Sequence, residues 1–239
     1  MKRLRYKLKH LLSWVLVSIW AGPLKGYRFG LFTGSRFVRG TYGGDEVSLL
    51  ARLIKPGDVV FDVGAHVGYY SMLASHIVGT GKVVSFEPLP LNLKYLKRHV
   101  RANKLANVEV IAAAVGRREG WLSFDADAEG GTGRGRLKPG ASESAMRVRV
   151  HSIDELFRAG RLPRPNFIKM DIEGAEGDAL HGAVSVLRDC RPTILLSVHG
   201  REVHLECESL LKELGYRLKP FCHSDLIATP AEMAHTEAA

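Results

Sequence analysis

VVFDVGAHVG, residues 59–68, decides the fold. A short apolar run broken by one acid ends in Gly64, and Gly68 follows four positions later, where Tyr69 to Val78 takes on helical character. Such a run is too short for a buried helix and suits a strand covered on both faces. Gly64 and Gly68 permit close approach of a ligand to the backbone, and the helix start behind them presents amides without intrahelical partners. The spacing is not the G-x-G-x-x-G of a dinucleotide site. Asp62 stands two residues before the first glycine, where it would repel a pyrophosphate and tolerate a cationic ligand. A tight strand-to-helix turn with a capping Asp is the purely structural alternative.

Outward from this stretch the same alternation repeats. KVVSFEP (82–88) reads as a second strand, Leu91 to Asn103 as a helix, and VEVIAAAV (108–115) as a third strand. Upstream, Glu46 to Ile54 reads as a helix stopped by Lys55-Pro56-Gly57-Asp58. WLSF (121–124) suits a short strand, the Gly-rich stretch from Asp125 to Ser144 a mobile loop, and MRVRVHSI an extra strand or edge hairpin. The pattern resumes with FIKMDIEG (167–174), a helix from Ala175 to Arg188, TILLSVHG (193–200) and a helix from Glu202 to Leu214. GYRLKPF and LIATP then form a closing hairpin. Strands alternating with helices, the strands almost continuously apolar, specify an α/β fold with a parallel sheet and helices on both faces.

The acids at the strand ends carry the chemistry. Glu87 ends the second strand about twenty residues beyond the glycine bend, where a carboxylate accepts hydrogen bonds from both hydroxyls of a ribose. A ribose next to a cationic amino-acid end describes S-adenosylmethionine, and Asp62, Gly64, Ala65, His66, Gly68, Tyr69 and Glu87 form its candidate binding set. His66, inside the bend, positions the ligand rather than taking a proton. Asp171 and Glu173 close the FIKMD strand at the edge where open α/β sheets bind ligands, while Glu176 caps or faces the next helix; an acidic helix start favoured by the macrodipole is the alternative. His199 ends TILLSVH, and a neutral imidazole there can accept a proton from a hydroxyl; a plain turn residue fits equally. Asp171, Glu173 and His199 are the candidate catalytic residues. Nothing in the spacing requires a metal, although Asp171 with Glu173 has the makings of a cation pair.

Charge is distributed unevenly. Nine of the 34 Lys and Arg precede Asp45, the first acid, which leaves 25 basic against 25 acidic residues in the remainder. Residues 1–45 are therefore a basic and apolar arm, suited to phosphates, to an anionic lipid surface or simply to solvent. LLSWVLVSIWA (11–21) is too short to span a bilayer. It imitates a secretory signal, though Ile19 is a poor small-residue match before Ala21. Leu4, Leu8, Leu11, Leu12, Val15 and Ile19 fall near helical spacing, and Trp14 and Trp20 suit either a lipid headgroup boundary or the protein's own core. Residues 1–21 are thus a candidate peripheral membrane contact. Cys190, Cys207 and Cys222 have no paired metal spacing, and an odd number without a framework fits a reducing cytoplasm.

Taken together, VVFDVGAHVGYYSMLAS, VVSFEPLPLNLKYLKRHV, VEVIAAAVG and, most distinctively, FIKMDIEGAEGDALHGA resemble the FkbM family of methyltransferases over about residues 40 to 200. The resemblance implies a class I, Rossmann-like methyltransferase fold with a mainly parallel seven-stranded sheet. It also implies S-adenosylmethionine as donor and an oxygen acceptor on a sugar, glycan, polyketide or related small metabolite. Members often carry Asn in place of His66 and a GTYE-like form in place of GTYGGDE. The expected organisation is an arm (1–45), a methyltransferase domain (46–230) and a disordered tail (231–239). RNA methylation through the basic arm predicts a steep salt dependence, but it is disfavoured because no N/D-P-P-Y type motif appears. A noncatalytic nucleoside-binding protein docked at a membrane is the remaining alternative from another class.

Overall fold

The computed structural model describes residues 15–31, 33–125, 136–137, 146–222 and 225–231. A short hairpin of β1 (Leu16–Ser18) and β2 (Arg28–Gly30) comes first, followed by α1 (Ser35–Arg39) and α2 (Gly44–Leu53). Then β3 (Val59–Val63), α3 (Tyr69–Val78), β4 (Lys82–Phe86), α4 (Pro90–Ala102) and β5 (Val108–Ile111) alternate as the sequence predicts, although the third strand, expected over 108–115, ends at Ile111 and its last two residues join another sheet. β6 (Ala114–Val115), β7 (Gly120–Asp125), β8 (Arg136–Leu137) and β9 (Met146–His151) make a separate small sheet. After it run α5 (Ile153–Arg158), β10 (Phe167–Asp171), α6 (Glu176–His181), α7 (Val184–Cys190), β11 (Thr193–Ser197), α8 (Arg201–Glu213), β12 (Tyr216–Pro220) and β13 (Asp225–Pro230).

Among the described residues the main sheet has seven strands in the order β12-β13-β11-β10-β3-β4-β5. β11, β10, β3, β4 and β5 are parallel, and β13 runs antiparallel to both of its neighbours. Strand order reverses between β3 and β10, so the crevice at their carboxyl ends is where an open sheet of this kind takes a ligand. The two-residue side-chain period divides each strand between two cores. Phe61 and Val63 pack with Val84, Phe86 and Met170 on one face; Val60, Val83 and Phe167 pack with Met72 and Leu73 of α3 on the other.

Three expectations are corrected. The end of the apolar arm is not helical: β1 pairs with β2 across a turn that uses Gly22 and Gly26 at positive φ, and Ile19, Leu24 and Phe29 are buried in the core that α3 covers. Of the arm's helically spaced positions, Leu4, Leu8, Leu11 and Leu12, and also Trp14, lie outside the described residues. The helix expected from Ala175 to Arg188 is two, α6 and α7, separated at Gly182, where a Cβ would strike the Gly116 carbonyl. The Gly182 carbonyl accepts from Ser152 Oγ and Asp154 N instead of continuing the helix, and the Asp154 carboxylate caps α7 by accepting from Ser185 N and Val186 N at 2.8 and 2.9 Å. Finally, α5 follows directly on β9; its signal was the capping pattern Ser152-x-x-Glu155, in which Ser152 Oγ accepts from Glu155 N. Most of the loop expected from Asp125 to Ser144, and all but the first residue of the tail, lie outside the described residues.

No described helix is long and apolar enough to cross a membrane. Trp20 is 65% exposed, whereas Ile19 beside it is buried, so the apolar stretch 11–21 is divided between core and surface where it is described.

Candidate active site

The bend after β3 is built from backbone first. Gly64 and Gly68 hold φ of 87° and 91°, a region that L side chains rarely adopt. A Cβ on Gly64 would collide with the Asp171 carbonyl, and one on Gly68 with the Leu96 side chain. The close approach that the glycines permit is therefore, in the first place, to β10 and α4. Gly64 N and Ala65 N both donate to the Phe86 carbonyl at 3.0 and 2.9 Å, which locks the bend to the end of β4. His66 has φ 52°, a left-handed position that His and Asn tolerate better than most residues.

Glu87 ties this bend together. Its Oε2 accepts the His66 amide at 2.8 Å, and its Oε1 accepts the Leu89 amide at 2.9 Å and Asn92 Nδ2 at 3.2 Å. Burial raises its pKa, against the pull of these three donors. Among the described residues Oε2 accepts from the His66 amide, and an ionised oxygen accommodates two donors, so a hydroxyl donor suits it. The Tyr69 ring is committed elsewhere, buried among Phe37 (5.2 Å between centroids), Tyr42 and Phe29.

Asp62 is 1% exposed, with Oδ2 accepting the Ser71 hydroxyl at 2.6 Å, while Ser71 Oγ in turn accepts from Ser85. Among the described residues its Oδ1 has no hydrogen-bond partner, an unsatisfied acceptor that suits a cationic ligand end. The opposing charge comes from Lys169, which sequence reading left without a role. Parallel register sets Lys169 opposite Asp62, and the ammonium lies 3.4 Å from Asp171 Oδ2 and 4.9 Å from the Tyr70 ring centre. Burial works to depress the Lys169 pKa, but Asp171, Asp62 and Glu46 together outweigh it and raise the value. Burial raises Asp62 despite Lys169, and it pushes Glu46 of α2 to about 7, with Lys169 opposing and Asp225 and Asp171 reinforcing. A lone Lys inside FIKMD is the visible signal for this cluster, and Glu46 is the acid that closes GTYGGDE.

All three candidate catalytic residues come together. β10 ends at Asp171, and the chain turns through Glu173 (φ 59°) and Gly174 (φ 107°). Glu176, fully buried, fixes that turn by accepting from Gly174 N at 3.0 Å and Ile172 N at 3.3 Å. The same Oε1 lies 3.0 Å from His199 Nδ1. On the other side of the ring, His199 Nε2 is 3.8 Å from Asp171 Oδ1 and 3.7 Å from Glu173 Oε2. Glu176 is thus a positioning residue for the imidazole, a firmer role than capping alone.

A cavity of about 250 Å³ opens beside this turn, lined in part by Arg117, Arg118, Trp121, Val150, Ala175 and Asp178. It reaches the turn through Ala175 and does not lie over the ends of β3 and β4. Trp121 is 55% exposed, with the guanidinium groups of Arg147 and Arg149 each 5.4 Å from its ring centre.

Strand order and the one reversed strand place the fold among the class I S-adenosylmethionine-dependent methyltransferases. Two solved structures share it: the methyltransferase FkbM from Methylobacillus flagellatus KT (TM-score 0.52, 18% identity, 82% of this chain and 52% of that one) and precorrin-6y C5,15-methyltransferase from Geobacter metallireducens GS-15 (TM-score 0.51, 14% identity, 78% and 88%). This chain spans about half the length of the first. From residue 62 to residue 218 the sequence matches the methyltransferase FkbM domain, and the chain belongs to that family. Its methyl donor is S-adenosylmethionine. The hexuronic acid methyltransferase AglP of Haloferax volcanii is 25% identical over 169 residues, 71% of this chain and 67% of that protein.

Proposed function

We propose that the chain methylates a hydroxyl of a sugar or glycan, with the donor between the glycine bend and Glu87 and the acceptor over Asp171, Glu173 and His199. The observation that carries this reading is the pairing of His199 Nδ1 with buried Glu176, which leaves Nε2 turned toward two carboxylates at the ligand-binding edge of the sheet. S-adenosylmethionine, when bound, supplies a methyl group made electrophilic by its sulfonium. Asp62, Gly64, Ala65, His66, Gly68 and Glu87 hold the donor; Tyr69 contributes its backbone, since its ring is packed in the core. As the acceptor oxygen bonds the methyl carbon, the carbon–sulfur bond breaks with its electron pair going to sulfur, and the hydroxyl proton passes to His199 Nε2 or a neighbouring carboxylate. Alignment of oxygen, carbon and sulfur supplies much of the acceleration.

The similarity to a hexuronic acid methyltransferase supports a sugar acceptor. So does Trp121 with its two arginines, since an exposed indole stacks on a sugar ring and guanidinium groups pair with carboxylates. Exposed Trp20 and Val15, next to the basic N-terminus, support a peripheral contact of residues 1–21 with an anionic membrane surface. Incubation with S-adenosylmethionine and a panel of neutral and acidic sugars, followed by mass spectrometry, tests the activity. Gain of one methyl on a sugar oxygen is expected; donor binding without transfer to any sugar contradicts the proposal.

A further inference from the structure

We infer that Asp171, Glu173 and His199 form a binding site for a divalent cation, a site that rests on the reading above and gives it a further component. One donor atom from each lies within 4.8 Å of the other two. His199 Nε2 stands 3.8 Å from Asp171 Oδ1 and 3.7 Å from Glu173 Oε2, too far for a hydrogen bond to either. Two atoms bound to one cation at about 2.1 Å sit about 3 Å apart at right angles and about 4 Å apart when opposed, so both separations suit shared ligation.

The orientation of the ring points the same way. Glu176 Oε1 accepts from two backbone amides and faces His199 Nδ1, so it acts as an acceptor and places the ring proton on Nδ1. Nε2 is thereby turned toward Asp171 Oδ1 and Glu173 Oε2, and one candidate ligand atom from each of the three residues borders a common point. A carboxylate behind the non-ligating nitrogen is the arrangement that orients metal-bound histidines. Glu176 is 0% exposed, so the carboxylate behind the ring is held in the core. The ammonium of Lys169 lies against the other oxygen of Asp171, Oδ2, and not against the oxygen that faces His199.

Two carboxylates and one imidazole suit a cation of the Mg²⁺, Mn²⁺, Fe²⁺ or Zn²⁺ kind, with remaining positions for water or for the acceptor oxygen. A hydroxyl bound there loses its proton more readily. His199 would then serve as a ligand, with the proton leaving to solvent or to a carboxylate. Acceptors that offer two adjacent oxygens, such as a vicinal diol or a hydroxyl beside a carboxylate, match the open positions.

Mn²⁺ titration followed by electron paramagnetic resonance tests this on the whole chain after chelator treatment. Saturable binding is expected in the wild type, weakened about tenfold or more in Asp171→Asn, Glu173→Gln and His199→Ala. Mn²⁺ that stays free in the wild type overturns the site, whether or not the variants fold. Equal binding by the wild type and three folded variants overturns it too. Binding of S-adenosylhomocysteine, measured in the same samples, judges the methyl-transfer reading separately.

Discussion

Glu176 Oε1 lies 3.0 Å from His199 Nδ1, so a fully buried carboxylate on α6 sets the direction of an imidazole at the end of β11. A general base held in one orientation is worth more than one that rotates freely. His199→Ala is expected to lower turnover by about a hundredfold or more while leaving donor affinity near normal. Glu176→Gln retains an acceptor for the backbone amides and is expected to lower turnover less. Steady-state kinetics beside donor calorimetry checks both, and unchanged turnover in His199→Ala removes the residue from the reaction.

Lys169 supplies the buried positive charge beside Asp62, Asp171 and Glu46. Removing one member of such a set strands the others, so Lys169→Met is expected to cost about 3 kcal/mol or more in urea unfolding. Adding Asp62→Asn should recover part of that loss, because the stranded charge goes with it. Simple additivity of two losses contradicts the coupling.

His99 links the N-terminal hairpin to the domain. Its ring is buried and stacked on Phe29 at 4.0 Å; Nε2 accepts the Gly30 amide at 2.9 Å, and Nδ1 is 2.7 Å from the Val67 carbonyl. Both contacts together fit the neutral ring, and burial lowers its pKa from 6.5 to about 4. As pH falls below 6.5, the unfolded chain takes up a proton that the native state refuses. Stability from this residue is therefore present above pH 6.5 and drains away as pH falls toward 4, by up to about 3 kcal/mol. Urea unfolding at pH 7 and pH 4.5 should show a smaller pH effect in His99→Gln than in the wild type; an equal effect contradicts the assignment.

Local pattern made the parallel sheet legible, because β3, β4, β10 and β11 are each a short apolar run closed by a glycine or an acid. It also placed Asp171 and His199, which end such runs. What escaped depends on contacts between distant segments. The partnership of Lys169 with Asp62 follows from the register of β10 on β3, and the break between α6 and α7 from Ser152 and Asp154, which engage the Gly182 carbonyl and the first amides of α7. The hairpin of β1 and β2 overrode a helical spacing because pairing and burial of Ile19 and Phe29 outweigh local periodicity. Glu46, the acid that closes GTYGGDE, sits near Lys169 through the packing of α2, which the spacing alone does not foretell.

Calorimetric titration of S-adenosylhomocysteine into the wild type, Asp62→Asn and Glu87→Gln tests the donor site most directly. Saturable binding by the wild type is predicted, with about tenfold or greater loss in each variant, the scale of a lost hydrogen bond to a charged group. Wild-type affinity in both folded variants would contradict it.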